Sequence, residues 1–321
     1  MKTLEPWLHR YWNIGPARLQ ALASGHTNKT YLVEGDAGRA VLRVSWAGKP
    51  LGQMQREASI LGRLGAARTA PRLPALPRLR PTVDARTGVR LPDGRWLHLF
   101  EHIDGRPGLP DDPHAGATDA MRTLAHLHTA LAAIPASEAA PLAWLSARHA
   151  RVAARAMPSL PGDLNDAYDT VIRRIGAHLD AAAAWLTGPA HWLHGDYHAG
   201  NLLYVGNAVN GVLDFDDVGQ GAPWLEAAFA SFALSRDADR DDGFVFDRGR
   251  WVASLDAYAA TRPDAAPAWL RDHHDALMTL FCADQTLIHL EAAQRGLWMP
   301  GLGIGFLGGW RQLLDGAVPA G

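Results

Sequence analysis

A chain of 321 residues is longer than one hydrophobic core usually organises, so one large or two tightly packed domains follow, and fibres, repeats and peptide scaffolds are excluded. Apolar residues make up 48% and charged residues 20%, with 12 Trp, which is material for a sizeable core and not a disordered segment. The net charge of −2 conceals an asymmetry: residues 1–103 carry +9 and residues 104–321 carry −11, so the first part suits an anionic ligand and the second a cationic one or a metal.

The opening MKTLEPWLHRYWN has no apolar run of the signal-peptide kind, and no stretch approaches the ~18 apolar residues of a membrane span, so no membrane association is expected. Residues 29–34 and 39–46 are rich in β-branched and aromatic side chains and are separated by Gly35-Asp36-Ala37-Gly38, which predicts a hairpin. Residues 53–64 place Met54, Ala58, Leu61 and Leu64 at helical spacing. Pro71, Pro74, Pro77 and Pro81 then forbid a long helix, and residues 89–91 and 95–101 around Pro92-Asp93-Gly94 read as a second hairpin. The expected order is strand, strand, helix, strand, strand.

From Asp119 the period becomes helical, with Asp119 and Asp163 as expected N-caps. Residues 192–215 interrupt the helices with LLYV and GVLDF, and Asn210-Gly211 between them is the expected hairpin turn. Helices resume near 224–234, 247–260 and 266–295. The last of these holds Cys282, the sole cysteine, which excludes an internal disulfide and suits a reducing, cytoplasmic setting. Gly303, Gly305 and Gly308 spell G-x-G-x-x-G but follow no strand, so a dinucleotide loop is not expected there. Only 3 of 31 basic residues are Lys, and none form a run interleaved with aromatics, so nucleic acid is not an expected partner.

The chemistry concentrates in residues 191–217, HWLHGDYHAGNLLYVGNAVNGVLDFDD. Phosphoryl transfer needs a carboxylate to orient the attacking hydroxyl and oxygen ligands to hold Mg²⁺ across the phosphates. Asp196, Asn201 and Asp214 supply those groups on either side of a tight loop and a hairpin. His191, His194 and His198 also have zinc-like spacing, but their place on this loop favours a structural role, with His194 hydrogen-bonded beside Asp196. His126 and His128 read as satisfied core residues, while Trp224 and Trp298 are candidates for a substrate pocket.

His194-Gly195-Asp196 with Asn201, followed by Asp214-Phe215-Asp216, resembles the motif pair of the aminoglycoside phosphotransferase, choline kinase and homoserine kinase family. The resemblance extends over nearly the whole chain and implies an α+β, protein-kinase-like bilobal fold: a small β-rich N-lobe at 1–103 and a mainly helical C-lobe at 104–321. It implies ATP, with GTP left open, and Mg²⁺ as cofactors. Asp196 would be the catalytic residue, and Asn201 and Asp214 the metal ligands. Ser24, Gly25, His26, Thr27 and Asn28 resemble the nucleotide-positioning loop, Arg43 the phosphate-contacting position and Glu57 its ion-pair partner. Residues 100–103, with Glu101 and Ile103, resemble the adenine hinge; Leu203 and Leu213 match positions that floor the adenine pocket and flank the metal. Two departures stand out: Arg43 replaces the usual lysine, and the glycine loop keeps only Gly25.

Pro223 follows Asp214 within nine residues, which leaves no room for a peptide-binding segment. The expected acceptor is therefore a small molecule, and the acidic second part favours a cationic one such as an amino sugar or amino alcohol. Asp196, Asp214 and Asp216 account for part of that acidity, and Asp237, Asp239, Asp241 and Asp242 could add an acidic rim. Two alternatives stay open on the residues alone: a compact stress-type protein Ser/Thr kinase, and a nucleotide-binding pseudokinase. The sequence does not indicate the oligomeric state.

Overall fold

The computed structural model describes residues 4–22, 28–36, 38–66, 73–137, 139–236, 247–262, 267–297 and 306–316. Ser24, Gly25, His26 and Thr27 of the expected nucleotide loop, the acids at 237–242, Trp298, Gly303 and Gly305 lie outside the described residues.

An antiparallel sheet of five strands opens the chain, in the order β1-β2-β3-β5-β4, with β1 Ala17–Ala21, β2 Lys29–Gly35, β3 Gly38–Val44, β4 Val89–Arg90 and β5 Trp96–Glu101. The two expected hairpins are present; the helix α1 (Glu5–Trp12) and strand β1 were not anticipated. Their sequence explains why: α1 buries only Leu8 and β1 only Leu19, too few apolar positions to show a period. Both are secured by tertiary contacts, since Leu8 and Leu19 join Val33, Leu42, Leu97 and Leu99 in one core. Helix α2 (Leu51–Ala66) buries Met54, Ile60, Leu61 and Leu64, and on that same face a charged residue, Glu57.

The remainder is mainly helical: α3 Pro113–Ala132, α4 Ala143–Ala153, α5 Gly162–Trp185, α6 Pro223–Ser235, α7 Arg248–Thr261, α8 Pro267–Asp272, α9 His274–Gln294 and α10 Phe306–Asp315. Helix α3 starts at Asp112, whose Oδ1 accepts from the Ala115 N–H at 3.0 Å with Pro113 next in line. Asp119, the expected cap, lies inside the helix and accepts from the Val209 N–H at 2.8 Å. Asp163 falls in the first turn of α5 and makes no cap bond, where it complements the helix dipole.

Short strands interrupt the helices: β6 Arg106–Pro107, β7 His191–Leu193, β8 Leu202–Val205, β9 Ala208–Val212 and β10 Gly219–Gly221. The β8–β9 turn is at Gly206-Asn207, not at the expected Asn210-Gly211, which lies within β9. Gly211 has a different reason to be glycine: a Cβ there would lie 2.8 Å from Ile103 Cγ2 and 3.5 Å from the Ala75 carbonyl, which bridges to this strand.

A second core ties the sheet region to the helices, joining Ile60, Leu61 and Leu64 of α2 and Phe100 of β5 to α3, β8, β9 and Phe215. A third fills the space among α4–α6 and α9–α10. Leu42 is fully buried in the centre of the sheet, so Leu42→Ala should cost about 2–5 kcal/mol, read as a lower urea midpoint at unchanged slope.

Candidate active site

Two strand pairings hold the chemistry-bearing loops against each other. Leu193 of β7 is opposite Gly219 of β10, and Leu202 of β8 is opposite Val212 of β9, so residues 194–201 and 213–218 leave the sheet ends side by side. The Leu213 N–H donates to the Asn201 carbonyl at 2.8 Å. His194 joins the loops: its Nε2 donates to the Leu213 carbonyl at 2.7 Å while its Nδ1 accepts from the Asp196 N–H at 3.2 Å. Both bonds require the neutral imidazole, and burial lowers the His194 pKa accordingly. Phe215, fully buried, packs on the His194 ring at 4.6 Å. Gly195 has φ +87°, and a Cβ there would sit 2.1 Å from the Asp217 carbonyl, so the two loops approach as closely as backbone permits.

Beneath the loop lies Glu226 of α6. Its carboxylate accepts from the N–H groups of His194 at 3.1 Å and Gly195 at 2.5 Å, and from His128 Nε2 at 2.8 Å; His128 Nδ1 in turn meets the Tyr258 hydroxyl at 2.7 Å. Burial opposes the charge of Glu226, but these donors keep its carboxyl below the usual range. Asn201 closes the loop from the other side, donating from Nδ2 to the Asp196 carbonyl at 2.9 Å and to Asp196 Oδ2 at 3.0 Å.

Side-chain exposure separates the acids. Asp196 and Asp214 keep 34% and 35% of their side chains exposed to the cleft, whereas Asp216 keeps 10% and Glu57 3%. Burial works against the charge of Asp196, yet His198 at 3.5 Å and Arg148 hold its carboxyl well below the usual range. Asp214, at φ 56° in the left-handed region, is the opposite case: burial and the carboxylates of Asp216, Glu57 and Asp196 push it up to about 7, although Arg43 Nη1 is 3.1 Å away. Arg43 also pairs with Glu57 and stacks over Phe100 at 4.9 Å, and its neighbour on β5, His98, is driven down to about 3 by burial and by the charges of Arg43 and Lys49.

This donor set fits a divalent cation. Asp196, Asp214, Asp216 and Glu57 exceed Arg43 and Lys49 in charge, an excess that adds to burial in raising Asp214, and Asn28 Oδ1 and Glu57 Oε1 are buried with no hydrogen-bond partner. Among the described residues no three His, Cys, Asp or Glu side chains form a preformed metal cage. That is compatible with Mg²⁺, which is bound through one or two carboxylates, with phosphates and water filling the remaining positions.

Of the residues singled out in the sequence, the structure brings together Asp196, Asn201, Asp214, Arg43, Glu57 and Asn28. Asn28 is buried and donates to Asp216 Oδ2 at 3.2 Å. Ile103 and Leu203 converge beside Gly211, Leu213 links the loops, and Glu101 is exposed at the end of β5. Trp224 packs on Trp269 at 4.4 Å among the helices. Lys49 and Glu226 were missed; their one signal was a charged residue set among apolar neighbours, in AGKPL and PWLEAAF.

The raised Asp214 carboxyl has a testable sign. Between about pH 4 and pH 7 the folded chain retains a proton that the unfolded chain releases, so this residue's contribution to stability falls as pH rises. The melting midpoint of the wild type should fall relative to Asp214→Asn across that window, and saturating Mg²⁺ should flatten the difference. A difference independent of pH without metal would mean that the carboxyl titrates normally.

Residues 18–264 match the sequence model of APH, the phosphotransferase enzyme family. No curated protein matches the chain by sequence. Among solved structures, an amicoumacin kinase in complex with AMP-PNP, Ca²⁺ and its ligand superposes with a TM-score of 0.71 at 13% identity, covering 98% of this chain and 93% of that one. A microcompartment-associated aminopropanol kinase gives 0.69 at 18% identity, covering 98% and 97%. The macrolide 2′-phosphotransferase of Brachybacterium faecium gives 0.60 at 20% identity, covering 94% and 100%. Identities this low speak for a shared fold, the kinase-like one; the extent of the sequence match speaks for more, and the chain belongs to the phosphotransferase enzyme family.

Proposed function

We propose that this phosphotransferase moves the γ-phosphoryl group of ATP, with Mg²⁺, to a hydroxyl of a small amine-bearing molecule. One observation carries the reading: Asp196 and Asp214, both partly exposed carboxylates, sit at the ends of two loops locked together by His194 and Asn201. In this reading residues 1–103 form the nucleotide-binding lobe and residues 104–321 the acceptor-binding lobe. Arg43 contacts the phosphates with Glu57 as its ion-pair partner, residues 24–28 are assigned the nucleotide-positioning role, Glu101 and Ile103 belong to the adenine hinge, and Leu203 and Leu213 floor the adenine pocket and flank the metal. Asn201 and Asp214 hold the cation, which when bound neutralises charge on the phosphate oxygens.

Asp196 accepts the hydrogen bond of the acceptor hydroxyl and aims its oxygen at the γ-phosphorus. The new O–P bond forms as the bond to the β-phosphate bridging oxygen breaks; ADP departs, and the hydroxyl proton passes to Asp196. A carboxylate held so far below the usual range is a weak base, which suits a loose transition state in which proton transfer is late and orientation is the main contribution.

The acceptor's size follows from the chain after Asp214. Residues 219–221 are paired with β7 and α6 starts at Pro223, so no segment remains to hold a peptide. Support for an amine comes from Asp217, which keeps 44% of its side chain exposed with Arg148 3.7 Å away, and from the aminopropanol kinase among the structural neighbours. Cys282, fully buried, suits the reducing cytoplasm that we assign to this activity.

ADP release over a panel of small hydroxyl compounds, against a generic protein acceptor, tests the class of substrate: amino alcohols and amino sugars should respond, and exclusive labelling of protein would refute it. Asp196→Ala should lower kcat by about 10²–10⁴-fold while Mg²⁺·ATP affinity stays within a few-fold, measured by steady-state kinetics and nucleotide titration. Added salt should raise the acceptor KM more than the nucleotide KM, because screening acts over about 8–10 Å near physiological ionic strength; a salt-insensitive acceptor KM would remove the amine from the proposal.

A further inference from the structure

Two cations, not one, reach from the sheet region to the Asp214–Asp217 segment. Arg43 divides its guanidinium between Glu57 and Asp214. Lys49, six residues further on and just before α2, contacts Asp216 directly and lies 3.8 Å from the same Glu57. Its side chain has no exposed surface, whereas Lys29 is exposed. An ammonium buried so completely is tolerated only opposite carboxylates.

Asp216 is held at every polar atom of its side chain. Oδ1 takes Lys49, Oδ2 takes Asn28 at 3.2 Å, and its main-chain carbonyl takes Gln53 Nε2 at 3.0 Å. All three donors come from the sheet region and α2. Two residues earlier, Asp214 adopts a left-handed backbone that is unfavourable for a side chain with a Cβ and persists only where its surroundings enforce it. On its N-terminal side Leu213 is fixed by His194 and Asn201; on its C-terminal side the next residue, Phe215, is buried against His194, and then comes Asp216 in its clamp.

We infer that Lys49 is a positioning residue: it clamps Asp216 away from the metal and thereby holds Asp214 in the conformation that presents its carboxylate to the cleft. The two acids of Asp214-Phe215-Asp216 then have separate duties, Asp214 toward the cation and Asp216 toward Lys49. Arg43 makes its direct contacts with Glu57 and Asp214 and attracts Asp216 only through space, so Lys49 supplies the ion pair that touches Asp216.

A double-mutant cycle on the ligand-free protein tests the clamp. Lys49→Met leaves Asp216 buried and unpaired and should lower the melting midpoint by roughly 5–10 °C; Asp216→Asn should lower it similarly; the double variant, with neither charge, should melt clearly above Lys49→Met. A double variant that melts no higher than the worse single one would overturn the pairing. The second arm rests on the phosphotransfer reading and uses Mg²⁺ titrations of ATP binding. Because both break the same clamp, Asp216→Asn and Lys49→Met should move the Mg²⁺ midpoint alike, by roughly three- to fivefold through the loosened Asp214, while Asp214→Asn, which removes the ligand itself, moves it by well over tenfold; Lys49→Met should reduce kcat by roughly 10–100-fold with a smaller change in Mg²⁺·ATP affinity. Equal Mg²⁺ shifts in the two Asp variants would make Asp216 a metal ligand. A loss of ATP affinity in Lys49→Met that Asp216→Asn does not share would place Lys49 on the phosphates. Either result overturns the inference. Wild-type protein that binds no Mg²⁺·ATP would refute the phosphotransfer reading, and the melting cycle would still judge the clamp.

Discussion

The cost of burying charge without a partner governs this molecule's interior. Arg43, Lys49 and, on α2, Glu57 come from the first hundred residues, Asp214 and Asp216 from the segment after β9, and all but the partly exposed Asp214 are desolvated enough that separation would leave an unpaired charge in an apolar surround. Closing the network therefore fixes where α2 stands relative to the acidic segment. The apolar contacts of Ile60, Leu61 and Leu64 with α3 and Phe215 supply the driving force for packing; the ion pairs select one arrangement among those that the packing allows.

A second polar chain runs from the core outward, from Tyr258 through His128 and Glu226 to the main chain of His194 and Gly195. It meets the first network at Leu213, whose carbonyl accepts from His194 and whose N–H donates to Asn201. Rigid placement of Asp196 and Asp214 is thus a property of two buried polar networks sharing one strand end. A divalent cation held there would offset both the burial and the neighbouring carboxylates that raise Asp214. Orientation and charge neutralisation are the two contributions that phosphoryl transfer asks of a protein.

Much of this was legible in the sequence because it is local. The spacing of Asp196, Asn201 and Asp214 across a hairpin fixes their convergence, and the family resemblance of the segment around Glu57 marked that residue as the ion-pair partner of Arg43. What escaped was set by contacts distant in sequence. Strand β1 owes its place to pairing with β2, Asp119 to a bond with Val209, and Gly211 to the approach of Ile103 and Ala75, so propensity pointed to a cap and a turn where tertiary structure built neither. Lys49 was overlooked because a lysine after Gly48 reads as a solvated loop residue; only its burial against Asp216 distinguishes it.

The central claim is that Asp196 and Asp214 direct a phosphoryl group from ATP onto the oxygen of a small alcohol. Phosphorus NMR of protein, Mg²⁺·ATP and a pool of amino alcohols observes that transfer itself. The account predicts a new phosphomonoester resonance that grows in step with ADP and is absent from the Asp196→Ala variant. Inorganic phosphate as the only new species, or a phosphoramidate formed on the amine, would contradict it.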